Sequence, residues 1–163
     1  MGMKFFEAVL FVCLLSLCVC SLGWAIDITS TGNWAETINA GDLVGGAGTD
    51  LNDQYTSASD QVAITISNTL DDNDNWRVDV RKSDTSWHND LSVSVKRTDG
   101  GSGTGAISGG TSFQTAGAVD AEFFNGRGDR SNVHVQLQVS GMSVSIPPAT
   151  YSTSIVFTVV DTL

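Results

Sequence analysis

The sequence predicts an all-β chain, an antiparallel two-sheet sandwich of about 8–9 strands. Three observations predict it. Five segments alternate apolar and polar residues with period two; clusters of Asp, Asn, Ser and Gly punctuate them at short-strand spacing; and nothing after residue 25 shows a clear apolar repeat of helical period. A two-sheet sandwich accommodates so many short strands better than a closed barrel does.

Residues 1–25 read as a signal peptide. Met1 to Lys4 gives a short basic start, and Phe5 to Leu22 is apolar apart from Glu7, Ser16, Ser21 and the cysteines. Gly23-Trp24-Ala25 then sets small residues at the −3 and −1 positions that a signal peptidase reads. Glu7 interrupts the run and no basic cluster follows it, which favours cleavage over a membrane anchor. Val12, Leu17 and Val19 precede Cys13, Cys18 and Cys20, so lipid anchoring is not expected. Cleavage removes every cysteine. The mature chain, residues 26–163, is therefore expected to fold as a single domain on packing alone. It is expected to be secreted, extracellular or at the cell surface, or else periplasmic, with no stable membrane insertion.

The strands follow in order. Val62, Ile64 and Ile66 form the apolar face of the first, and Asp71-Asp72-Asn73-Asp74-Asn75 turns the chain into Trp76, Val78 and Val80. Ser83 to Asp90 leads to Leu91, Val93 and Val95, which Asp99-Gly100-Gly101-Ser102-Gly103 ends. The last two faces are Val133, Val135, Leu137 and Val139, then Ile155, Phe157 and Val159. Arg77, Asp79, Arg81, His134, Gln136 and Gln138 interleave with them, so one face of each sheet meets water. Val135, Leu137, Ile155 and Phe157 are expected to be buried. Shorter strands are expected at Ile26 to Thr29, Trp34 to Ile38, Val119 to Phe124 and Met142 to Ser145, and a long flexible loop at Gly100 to Gly110.

Without the leader the chain keeps 17 acidic and 7 basic residues, a net charge of −10. Such a surface repels nucleic acid and anionic membranes and favours solubility outside the cell. The glycines from Gly100 to Gly110 do not make a phosphate loop, because Thr111 follows Gly110 with no lysine between. The acidic turn places oxygen ligands at the close spacing a hard cation prefers, so Asp71, Asp72 and Asp74 are the candidate Ca²⁺ ligands; a metal-free Asx-rich hairpin loop uses the same residues. No other cofactor is expected.

His88 and His134 have no second histidine or cysteine at ligand spacing. There is no Gly-x-Ser-x-Gly elbow, and neither Asp71/Asp72 nor Asp120/Glu122 lies in a segment that suggests a cleft, so an enzyme is not expected. Arg127-Gly128-Asp129 spells a tripeptide that some integrins bind, and equally a turn with glycine at positive φ. Trp76 shares register with Val78 and Val80 and is expected in the core; Trp34 and Trp87 lie near turns, where they could offer sugar-stacking faces.

The closing stretch from Ser131 through Pro147-Pro148-Ala149-Thr150-Tyr151 to Ser152-Thr-Ser-Ile-Val-Phe-Thr-Val159 resembles the end of bacterial secreted pilin-like domains, the fimbrial and spore-coat-U-like subunits. In these a Pro-x-Gly-x-Tyr turn leads into a closing strand of alternating Thr and apolar residues. Pro147 and Tyr151 fit; Ala149 stands in the glycine's place, and the family's early cysteine pair is absent. The resemblance implies an immunoglobulin-like or pilin-like sandwich and polymerisation by strand donation. In this chain Ile26, Ile28, Trp34 and Ile38 share one parity, interrupted by Ser30, Gly32 and Glu36, so the segment serves equally as the first strand of its own domain. The expected function is a structural or adhesive surface protein, a pilus- or fimbria-like subunit whose partners are its own copies or other surface proteins. The alternative is an extracellular glycan- or calcium-binding module.

Overall fold

The computed structural model describes residues 25–162, so the expected leader lies, but for its last residue, outside the described residues. Ten strands form two antiparallel sheets. One sheet contains β1 (Asp27–Thr31), β2 (Gln54–Thr56), β3 (Val62–Ser67), β5 (Ser92–Arg97), β7 (Gln114–Thr115) and β9 (Arg130–Ser140). Its order is β1-β3-β9-β5-β7, and β2 pairs with β9 beyond the end of β3. The other sheet has the order β10-β4-β8-β6, from β4 (Asn75–Ser86), β6 (Ile107–Gly109), β8 (Ala121–Arg127) and β10 (Ser152–Asp161). No described helix is long and apolar enough to cross a membrane.

The period-two pattern fixes which side chains meet. Val62, Ile64, Ile66, Val93, Val95, Val133 and Val135 face inward from one sheet, and Trp76, Val78, Val80 and Phe124 from the other; all are buried. Trp76 meets Phe124 edge to face at 6.0 Å between ring centroids. A bulge places Phe123 opposite no residue of β4, since Val78 pairs with Phe124 and Asp79 with Glu122. Both consecutive phenylalanines therefore reach the core, which strict alternation forbids.

Four expectations about elements are corrected. Trp34 to Ile38 is not a strand: Gly32, at φ +125°, turns the chain off the edge of β3, and a Cβ there would meet the Gln61 carbonyl at 2.2 Å. Met142 to Ser145 is also irregular, because β9 ends at Ser140 and the next residue, Gly141, breaks the extended path with a φ of +87°. Gly100 to Gly110 is no simple flexible loop: it contains β6, and Ser102 bridges Ser131. Finally, Val135 and Leu137 are buried, but Ile155 and Phe157 are only half-buried, because β10 is an edge strand beside an opening between the sheets.

Candidate functional site

That opening is a cleft of about 1170 Å³. At this end the inner faces of the sheets are separated by two irregular segments, residues 32–43 and 142–151, where strands would otherwise close the core. Val62, Val93, Val139, Ile155 and Phe157 line it from the strands, and among the described residues Glu36 is the only charged one of the lining. An apolar floor with a few polar groups at its rim suits a ligand or an apolar segment.

Local hydrogen bonds hold the walls. Asn39 caps a short 3-10 turn, Ala40–Asp42, by a reciprocal bond with Asp42. Asp50 accepts from the Val144 and Leu51 amides, both at 2.8 Å, and from the Ser143 hydroxyl at 3.1 Å; the two backbone bonds hold its carboxyl below the usual range. Asp53 accepts from Gly141 N at 3.2 Å, so the two aspartates moor the start of the second segment to the stretch that leads into β2. The Tyr151 hydroxyl donates to the Pro147 carbonyl at 2.7 Å and locks the Pro-Pro turn. Trp87 donates its indole N–H to the Leu91 carbonyl at 2.8 Å, with the Lys82 ammonium 5.7 Å from its ring centroid.

Trp34, Trp87 and Tyr151 thus line one cleft, a convergence the sequence did not reveal. Tyr151 carried a signal only as part of its turn, and Glu36 carried none. His88 lies at the rim, its ring edge-on to Tyr151 at 5.8 Å. Trp76 sits elsewhere, in the core, donating to the Gly128 carbonyl at 2.9 Å.

The remaining candidates are dispersed. In the β3–β4 loop, Asp74 accepts from Leu70 N at 2.7 Å and Asp71 from Asn73 N at 2.6 Å, while Asp72 is exposed. Among the described residues no group of three or more His, Cys, Asp or Glu side chains is placed to hold a metal ion. On the outer face of the four-stranded sheet, Asp120 lies 3.4 Å from Arg81, and Glu122 accepts from Asn125 at 3.2 Å. Arg127-Gly128-Asp129 forms the tight β8–β9 turn, where the Asp129 carboxylate accepts from both the amide and the hydroxyl of Thr69. His134 is bound through Nδ1 to Asp99 at 2.5 Å. Comparison with protein-family models, with curated proteins and with solved structures finds no match in any of the three.

Proposed function

We propose that this chain is a secreted or cell-surface structural or adhesive protein, a pilus- or fimbria-like subunit that makes its contacts through the cleft between its sheets. The supporting observation is the edge geometry beside the cleft. β10 ends its sheet with no strand partner on its outer side among the described residues, and its inward Ile155, Phe157 and Val159 are only half covered. An unpaired edge next to a half-covered apolar row is what an added extended segment satisfies, by main-chain hydrogen bonds and alternate side chains together. In the isolated chain β1 pairs with β3 along five residues, from Asp27 opposite Ser67 to Thr31 opposite Ala63. The subunit on this reading completes its own sheet and stays a folded monomer until it meets a partner.

Size-exclusion chromatography and negative-stain microscopy of residues 26–163, over a range of concentrations and with extracts of the producing cells, test the reading. Large species or fibres support it. The second reading, a glycan- or calcium-binding module, rests on the aromatic side chains of Trp34, Trp87 and Tyr151 in one cleft. A strictly monomeric chain whose melting temperature rises with an oligosaccharide or with Ca²⁺ would establish the module instead.

A further inference from the structure

We propose that Arg97 and Arg130, two arginines buried beneath the Gly100 to Gly110 segment, form a binding site for an oxyanion. Arg97 continues the inward parity of Val93 and Val95 and pairs in register with buried Val135. Arg130 owes its direction to a bulge: Val133 pairs with Ile64, but Arg130 pairs with Ile66, and Asn132 at φ +56° takes up the extra length. Each arginine is 8% exposed.

Both side chains satisfy hydrogen bonds without neutralising charge. Arg97 donates through Nε to the Gly109 carbonyl at 2.9 Å and through Nη1 to the Asp99 carbonyl at 2.7 Å. Arg130 donates through Nη1 to the Gly100 carbonyl at 3.1 Å, and its buried Nε has no acceptor among the described residues. Nor does the Nη2 group of either arginine bond an acceptor among those residues. The ion pairs among the described residues involve Arg77, Arg81, Lys82, His88 and His134, but neither buried arginine. The adjacent carboxylate, Asp99, is committed to the His134 ring, the His134 amide and the Gly101 amide.

Two guanidinium groups anchored on successive carbonyls stay charged and repel each other; Asp99 and the Phe124 ring, 6.0 Å from the Arg97 guanidinium carbon, offset part of this for Arg97, but neither arginine has a carboxylate in an ion pair, and a buried charge so placed is costly. Burial lowers the pKa of Arg97; the Asp99 carboxylate opposes this and Arg130 adds to it more weakly. An oxyanion at the unused Nη2 donors would relieve the repulsion, because the flat guanidinium fork matches sulfate, phosphate or carboxylate oxygens. Gly101 to Thr104 is exposed, so an ion arrives from solvent. The chain's net charge of −10 opposes loose accumulation of anions, so saturable binding would report a local site.

Calorimetric titration of residues 26–163 with sodium sulfate and sodium phosphate, against sodium chloride at equal ionic strength, tests the site. Saturable binding of the oxyanions alone is expected, with a melting temperature that rises accordingly. Arg97→Lys and Arg130→Lys keep the charge but lose the fork, and each should weaken binding at least about tenfold. Should either variant fail to fold, the arginine Nε–H resonances of the parent chain decide: sulfate should move those of Arg97 and Arg130 and leave Arg77 and Arg81 in place. A sulfated oligosaccharide beside its unsulfated form separates the sources: competition with free sulfate by the sulfated form alone assigns the oxyanion to a polysaccharide, and no competition assigns it to a free ion. Equal responses to sulfate and chloride, lysine variants that bind like the parent, or unmoved Arg97 and Arg130 resonances would overturn the proposal.

Discussion

Replacing Phe157 and, separately, Phe124 by alanine measures whether the cleft is open in solution. Phe124 is 1% exposed, enclosed by Trp76 and by Phe123, whose ring centroid is 5.2 Å away. Truncating it removes a fully buried ring and leaves a sealed void, a loss of about 3–5 kcal/mol. Phe157 stacks on Phe123 at 6.1 Å and lines the cleft with its other side. Its removal widens a space already open to water, so the cavity contribution is absent. Half the transfer free energy of a phenylalanine, about 1 kcal/mol, and a lost aromatic contact of about 1 kcal/mol remain, a total near 2 kcal/mol. Equilibrium urea unfolding of residues 26–163 gives both values, provided the slopes agree. Equal losses from the two truncations would refute the reasoning, since Phe157 would then be covered and the cleft closed.

Gly126→Ala puts a methyl group 2.5 Å from Cη2 of Trp76 and 2.9 Å from the Ala106 carbonyl, so a loss of about 1–3 kcal/mol is expected in the same assay; an unchanged midpoint would contradict this packing. Asp50 has a folded pKa below its ordinary value of 3.8, so its contribution is fully present above that value and disappears as pH falls through the lower folded one. The Val144 amide should accordingly lose hydrogen-exchange protection as pH falls below the ordinary aspartate range, and protection that stays constant on acidification short of global unfolding would count against the mooring. A chain starting at Asn39 loses β1 and should unfold at lower urea than one starting at Ile26; if it is equally stable but no longer assembles, the segment is a donated strand. N-terminal sequencing of secreted protein should begin at Ile26, and a chain beginning at Met1 in the membrane fraction would defeat the expected cleavage.

The long strands were legible because alternation is enforced where one face is dry and the other wet, and β3, β4, β5 and β9 all present that pattern. Two bulges were not legible, since an extra residue flips parity without changing composition; they turn Phe123 and Arg130 inward. Trp34 to Ile38 has a passable strand pattern, yet Gly32 redirects the chain before it can pair. The cleft could not be read from any local window. Its aromatic walls come from residues 34, 87 and 151, brought together by edge strands and by the two aspartates that moor the 142–151 segment.

The position of β9 in the chain has a kinetic consequence. This central strand, Arg130–Ser140, pairs with β2, β3 and β5, all of which precede it in the sequence. Until it emerges, the larger sheet has only the short β1–β3 and β5–β7 pairings to draw on, and β10 must come later still to cover β4. Closing such sequence-distant ladders costs loop entropy before any contact repays it, which puts folding in the millisecond-to-second range of high-contact-order domains. The larger sheet therefore cannot assemble until β9 is available, whereas β4, β8 and β6 of the smaller sheet all precede it and can pair beforehand.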